Sequence, residues 1–112
     1  MSSRVKNMFS GQVAGAAQAL DNTGPQVLRT LQVLNTTVAV AYLQIFNIAA
    51  ASVVLGTTAP TLSIGIPLSG MLVYPFPENG QHMKGNALSC AGTTTRTGAV
   101  AAALDINIGW GE

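Results

Sequence analysis

A chain of 112 residues with a formal net charge of +1 makes one domain, large enough to bury roughly two-thirds of its unfolded surface without staples. Charged residues make up only 8% of it, against about 25% in ordinary soluble domains. No basic stripe exists to steer nucleic acid, and the single cysteine, Cys90, excludes an intrachain disulfide.

Residues 1–11, Met-Ser-Ser-Arg-Val-Lys-Asn-Met-Phe-Ser-Gly, show no sustained helical or strand period. They read either as a frayed terminus or as an extended arm. In the arm reading Val5, Met8 and Phe9 dock on a neighbour, with Arg4 and Lys6 as polar anchors. The expected division is therefore an arm over 1–11 and a β-sandwich domain over 12–112. Val13 to Ala19 faintly mimics the cleavage region of a signal peptide, but no leucine-rich run precedes it. Gln12 to Leu20 is alanine-rich, which favours helix, yet Gly15 interrupts it and Asp21-Asn22-Thr23-Gly24-Pro25 ends it with turn chemistry. A short strand is the preferred reading there. Gln26 to Asn35 is a strand, turning at Asn35-Thr36-Thr37, a formal glycosylation triplet that carries no weight in a chain with no other sign of secretion.

From residue 30 to 77 there is no charged side chain, a run of 48 positions. Val38 to Asn47 is apolar on both faces, as a strand covered on both sides reads. A sheet protein sustains such a run when its surface there is covered by a second sheet, by sister subunits or by a larger assembly. The stretch 38–56 is long enough to span a bilayer, but Gln44, Asn47 and Ser52 interrupt it and no basic flank adjoins it, so no membrane association is expected. Ser52 to Leu55 is a possible further strand. Leu62, Ile64, Ile66 and Leu68 alternate with Thr61, Ser63, Gly65 and Pro67, a half-buried strand, with Pro67 suited to its end.

Gly70 to Tyr74 is another strand, closed by Pro75-Phe76-Pro77. Glu78 to Gly85 is the most polar piece, a loop with a turn at Asn79-Gly80 and an exposed His82. Asn86 to Ala91 is a strand in which Cys90 reads as a small buried hydrophobe. After the loop 92–98 and a small-residue stretch, Leu104, Ile106, Ile108 and Trp110 alternate with Asp105, Asn107 and Gly109. Trp110 anchors either the end of the core or a contact with another chain. Seven or eight short strands separated by Gly, Pro, Asn and Thr turns give an all-β, jelly-roll-like sandwich.

The acids Asp21, Glu78, Asp105 and Glu112 are scattered, with no pair spaced for acid/base work. One histidine and one cysteine do not make a metal site, and no Gly-x-Ser-x-Gly or phosphate-binding loop occurs. No enzyme, cofactor or metal is expected.

The order Tyr42-Leu43-Gln44-Ile45-Phe46-Asn47, Thr58-Ala59-Pro60-Thr61-Leu62-Ser63-Ile64, Ala87-Leu88-Ser89, Thr93 to Thr97 and Asp105-Ile106-Asn107-Ile108 resembles small β-sandwich structural proteins of tailed bacteriophages, most closely the capsid decoration, or cement, proteins. The resemblance covers residues 26–110; segment 1–25 fits less well. It implies a virion protein on the outer surface of the capsid, bound across junctions of major capsid subunits as a homotrimer, with no catalytic residues. The candidate capsid or inter-subunit contacts are Arg4, Val5, Lys6, Met8, Phe9 and Trp110. A neck, tail or fibre-associated virion protein is the second reading, distinguished by copy number per particle. A carbohydrate-binding sandwich is the third, disfavoured by the scarcity of exposed aromatic rings.

Overall fold

Among the described residues nine strands form, most of them where apolar residues alternate or run unbroken between turn residues, and they pair entirely antiparallel in two sheets. The computed structural model describes residues 5–111. Its strands are β1 (Val5–Val13), β2 (Gln18–Asp21), β3 (Gln26–Asn35), β4 (Ala41–Phe46), β5 (Leu62–Ile66), β6 (Met71–Val73), β7 (Gln81–Met83), β8 (Leu88–Thr93) and β9 (Leu104–Gly111). The first sheet has the order β1-β9-β3-β6, with β7 also paired to β3; the second has the order β2-β8-β4-β5. The all-β sandwich expected from the sequence is the fold, with nine strands rather than seven or eight.

The core lies between the sheets. Leu28, Leu31 and Val33 of β3 and Leu104, Ile106, Ile108 and Trp110 of β9 face Leu43 and Ile45 of β4, Ile64 and Ile66 of β5, and Leu88 and Cys90 of β8. The period-2 pattern read in β5 and β9 is thus the period of burial. Burial pushes the Cys90 thiol up to about 12, so it stays protonated and inert at neutral pH.

Four stretches differ from the sequence reading. Residues 5–11, expected as an arm, belong to β1, which pairs with β9 along its length from Val5↔Gly111 to Val13↔Leu104. A register shift between Val5 and Asn7 breaks the alternation that would have revealed it. Ser52 to Leu55 forms no strand; a single 3₁₀ turn at Ala50–Ser52 stands there instead. His82 is exposed, as expected, but it sits in β7 opposite Val27 rather than in a loop. Leu68 lies beyond β5 in a turn and is 55% exposed.

Two glycines show how tightly the strands are joined. Gly80 closes the Pro77–Gly80 turn with φ +78°, and a Cβ there would come within 2.4 Å of Val27 Cγ1. Gly65 leaves room for the Tyr42 ring on the neighbouring strand, 3.1 Å from where its Cβ would stand. Asn35, at the end of β3, is fully buried. Its amide donates to Ala39 O (2.9 Å) and Ile66 O (3.2 Å), and its Oδ1 accepts from the Thr37 N–H (2.9 Å) and hydroxyl (2.7 Å). Every hydrogen-bonding position of the side chain is used, so this asparagine holds the crossing between sheets and is not presented to a modifying enzyme.

Candidate interaction surface

β4 and β8 are buried on both faces because the chain covers its own second sheet. The loop 94–103 and the segment 48–52 lie over the outer face of that sheet, where Gln44, Ser89, Ala91 and Thr93 have no solvent exposure. Gln44 Nε2 donates to Thr93 Oγ1 (2.7 Å) and to Gly98 O (3.1 Å). Ser63 Oγ donates to Arg96 O (2.7 Å), and Arg96 Nη1 donates back to Ser63 O (3.0 Å). The Arg96 guanidinium also stands 5.0 Å from the Tyr42 ring centroid, a cation–π contact. The double-sided apolar pattern of β4 is therefore answered within the chain itself.

The outer face of the first sheet has no such cover among the described residues. Strand register places its side chains in three rows. Met8, Gly109 and Thr30 form one; Ser10, Asn107, Gln32 and Val73 the next; Gln12, Asp105, Leu34 and Met71 the third. Met8 is 59% exposed, Leu34 40%, Met71 59% and Val73 67%. A groove of about 500 Å³ runs over this face between Met8 and the Val73–Phe76 segment, with Gln32 and Asn107 in its floor. The Gln32 amide is drawn toward the Met71 sulfur (3.0 Å). At one end of the face the backbone bonds Asn35 N–H to Gly70 O and Ser69 N–H to Thr37 O join two turns. These turns carry the exposed Val38, Val40 and Leu68.

Among the described residues, seven of the nine exposed large hydrophobic side chains (Leu34, Val38, Val40, Val54, Leu68, Met71 and Val73) fall within the uncharged run 30–77. The run is thus only partly explained by the chain's own packing. Natural monomers rarely expose apolar area in continuous patches, and where they do it marks an interaction site.

The expected contact residues do not form one patch. Arg4 lies outside the described residues. Met8 and Lys6 are exposed on β1 and Val5 is half-buried there, whereas Phe9 turns inward and packs half-buried against the core. Trp110 is corrected from a possible contact to a core residue. It is 3% exposed, and its indole N–H donates to Asp21 Oδ2 at 2.8 Å, tying β9 of one sheet to β2 of the other. Leu34, Met71 and Val73 were missed, although the period of β3 carried the signal: once Leu31 and Val33 face inward, Leu34 must face out.

Asp21 is a carboxylate with a defined structural task. Burial raises its pKa, but hydrogen bonds from the Thr23 hydroxyl, the Trp110 indole, the Thr23 amide and Gln26 outweigh this and hold it below the ordinary carboxylate value. A carboxylate depressed in the folded state contributes stability above its unfolded pKa, and that contribution disappears as pH falls through the folded value. Acid titration should therefore lower the melting temperature in the range below pH 4, and Asp21→Asn should flatten that part of the profile. An unchanged acid limb in the variant would remove Asp21 as its cause.

A second groove, about 650 Å³, opens at the pole where the 22–25, 47–52 and 84–87 segments meet. It is lined by polar groups of Asn22, Asn47, Ser52, Lys84 and Asn86 and by no aromatic ring. Among the described residues no group of three or more His, Cys, Asp or Glu side chains gathers to hold a metal ion. No helix there is long and apolar enough to cross a membrane.

Comparison with protein-family models, with curated proteins and with solved structures finds no match for this chain.

Proposed function

We propose that the protein is a non-enzymatic structural component of a bacteriophage virion that decorates the capsid, binding the major capsid protein across subunit junctions. The observation that carries this reading is the uncovered outer face of the first sheet, where Met8, Leu34, Met71 and Val73 stand exposed among Ser10, Gln12, Thr30, Gln32, Asp105 and Asn107. Exposed large apolar side chains set among polar ones suit a protein–protein interface, whose apolar centre is rimmed by polar groups. A stiff two-sheet scaffold loses little entropy on docking. Bound across a junction, one copy engages several shell subunits, and each further attachment is effectively intramolecular. The resemblance in strand-and-turn pattern adds the location, the outer surface of the shell, and the homotrimer as the bound form.

The test is a heat-disruption assay on matching shells lacking the protein. Added protein should raise the disruption temperature, and Met71→Glu with Val73→Glu, both on the exposed face, should abolish the rise while leaving the protein's own melting temperature within a few degrees. Equal heat resistance with and without the wild-type protein would refute the reading.

A further inference from the structure

The groove at the pole, where the 22–25, 47–52 and 84–87 segments meet, is built from connections alone: every residue that lines it lies between strands. Those connections are fixed to one another and to the second sheet. The Gly24 N–H donates to Asn86 O (3.1 Å), and the Ser89 hydroxyl donates to Ile48 O (2.8 Å). Gly85 lies so close to the Asn47 carbonyl that no Cβ would fit between them. Three carboxamides (Asn22, Asn47 and Asn86), the Ser52 hydroxyl and the Lys84 ammonium belong to the lining. None of these five side chains is hydrogen-bonded to another described residue. The amides of Asn35 and Gln44, by contrast, are used within the chain. No carboxylate lines the groove, and that of Asp21, next to Asn22 in sequence, is engaged with Thr23 and Trp110.

We infer that this groove binds an acidic saccharide, the Lys84 ammonium taking the carboxylate of a uronic acid unit while the three carboxamides and the Ser52 hydroxyl take its ring hydroxyls. A carboxamide both donates and accepts, and so does each hydroxyl of a sugar. The groove's volume, about 650 Å³, lies within the usual span of small-molecule sites, roughly 300–1,000 Å³, but those are lined mainly by apolar and aromatic side chains. A polar lining selects a hydroxyl-rich ligand over an apolar one. Among the described residues no strand edge borders the groove, so an extended peptide finds no backbone ladder to join there. One ammonium with no carboxylate beside it favours an anionic sugar over a neutral one, because a charge-assisted hydrogen bond is the stronger kind. The scarcity of exposed rings rules out recognition by stacking, not recognition by hydrogen bonds. Fixed walls keep the ordering cost of binding low.

This site is independent of the decoration reading, since the groove shares no residue with the outer face of the first sheet. Displayed in many copies, a weak single site of this kind gains avidity for a polymer that repeats its ligand.

The experiment is an NMR titration of isotopically labelled protein with trigalacturonate and, in parallel, with neutral galactotriose and with triglutamate. The expected result is a saturable set of shifts centred on the 22–25, 47–52 and 84–87 segments with trigalacturonate, binding of the neutral sugar weaker by about tenfold, and no saturation with triglutamate. Lys84→Ala should raise the Kd for trigalacturonate about tenfold, the loss of one hydrogen bond to a charged group, and Asn86→Ala should raise it several-fold. Both side chains are exposed, and thermal melts check that folding is unaffected. No saturable shift, shifts centred elsewhere, equal binding of the neutral sugar or of triglutamate, or a Kd indifferent to both variants would overturn the inference. The Met71→Glu, Val73→Glu variant should bind trigalacturonate as wild type does, so failure of saccharide binding and failure of shell stabilisation are read separately.

Discussion

Trp110→Ala should destabilise the protein by about 3–5 kcal/mol, the usual loss for truncating a buried aromatic. A domain of this size has about 5–15 kcal/mol in total, so the variant should stand close to unfolding at physiological temperature. Trp110 fills the end of the core from the strand that holds the first sheet together, with β1 on one side of it and β3 on the other. Its indole N–H also bonds Asp21 across to the second sheet. Trp110→Phe keeps most of the packing and loses only that bond to a largely solvated carboxylate, a cost of about 1 kcal/mol. Chemical denaturation of the two variants separates the terms. A Trp110→Ala midpoint equal to that of wild type would place the tryptophan outside the cooperative core.

Gln44→Glu should have a comparable effect by a different route, and one that depends on pH. The Gln44 amide nitrogen faces Thr93 Oγ1, Gly98 O and Thr95 O, a set in which two members can only accept. Its Oε1, buried, has no partner, consistent with the amide being held by its donor side. A carboxylate in that position would be buried against carbonyl oxygens. We expect a loss of about 3 kcal/mol at neutral pH, from desolvation without compensating donors. Such an acid has its folded pKa raised, so its penalty is absent below the unfolded carboxylate pKa and grows as pH rises above it. The variant should therefore approach wild-type stability near pH 4 and fall behind it at pH 7. Thermal melts across that range make the test, and a pH-independent difference would argue against a buried charge.

The fold was legible where burial is one-sided. Leu104, Ile106, Ile108 and Trp110, and likewise Leu62, Ile64 and Ile66, alternate because one face meets the other sheet, and the structure buries those faces as expected. β4 announced that it was covered on both sides but not by what, since the cover is a threonine- and alanine-rich loop fixed by Gln44 and Ser63 rather than by an apolar pattern of its own. β1 was illegible for a further reason. Its inward positions after the bulge are Asn7, Phe9, Gly11 and Val13, a set with little periodicity, and what makes it a strand is a partner almost a hundred residues away. The exposed face was half-legible: the uncharged run signalled that a surface needs covering, but only the register of β6 against β3 assembles Leu34, Met71 and Val73 into one patch.

The placement of β9 between β1 and β3 also governs how the molecule comes together in time. β1 and β3 do not pair with each other; β1 finds its strand partner, and β3 its longest one, only when residues 104–111 arrive, with Val5 meeting Gly111 and Asn35 meeting Leu104. Contacts this distant along the chain require closing long loops before any reward is collected, so folding belongs to the slow, milliseconds-to-seconds class of all-β topologies. Until then β1 is a lone extended segment, and β3 shows its apolar inner face without its central neighbour. Crowded nascent chains are most exposed to mispairing in that interval, and the last strand acts as the latch that ends it.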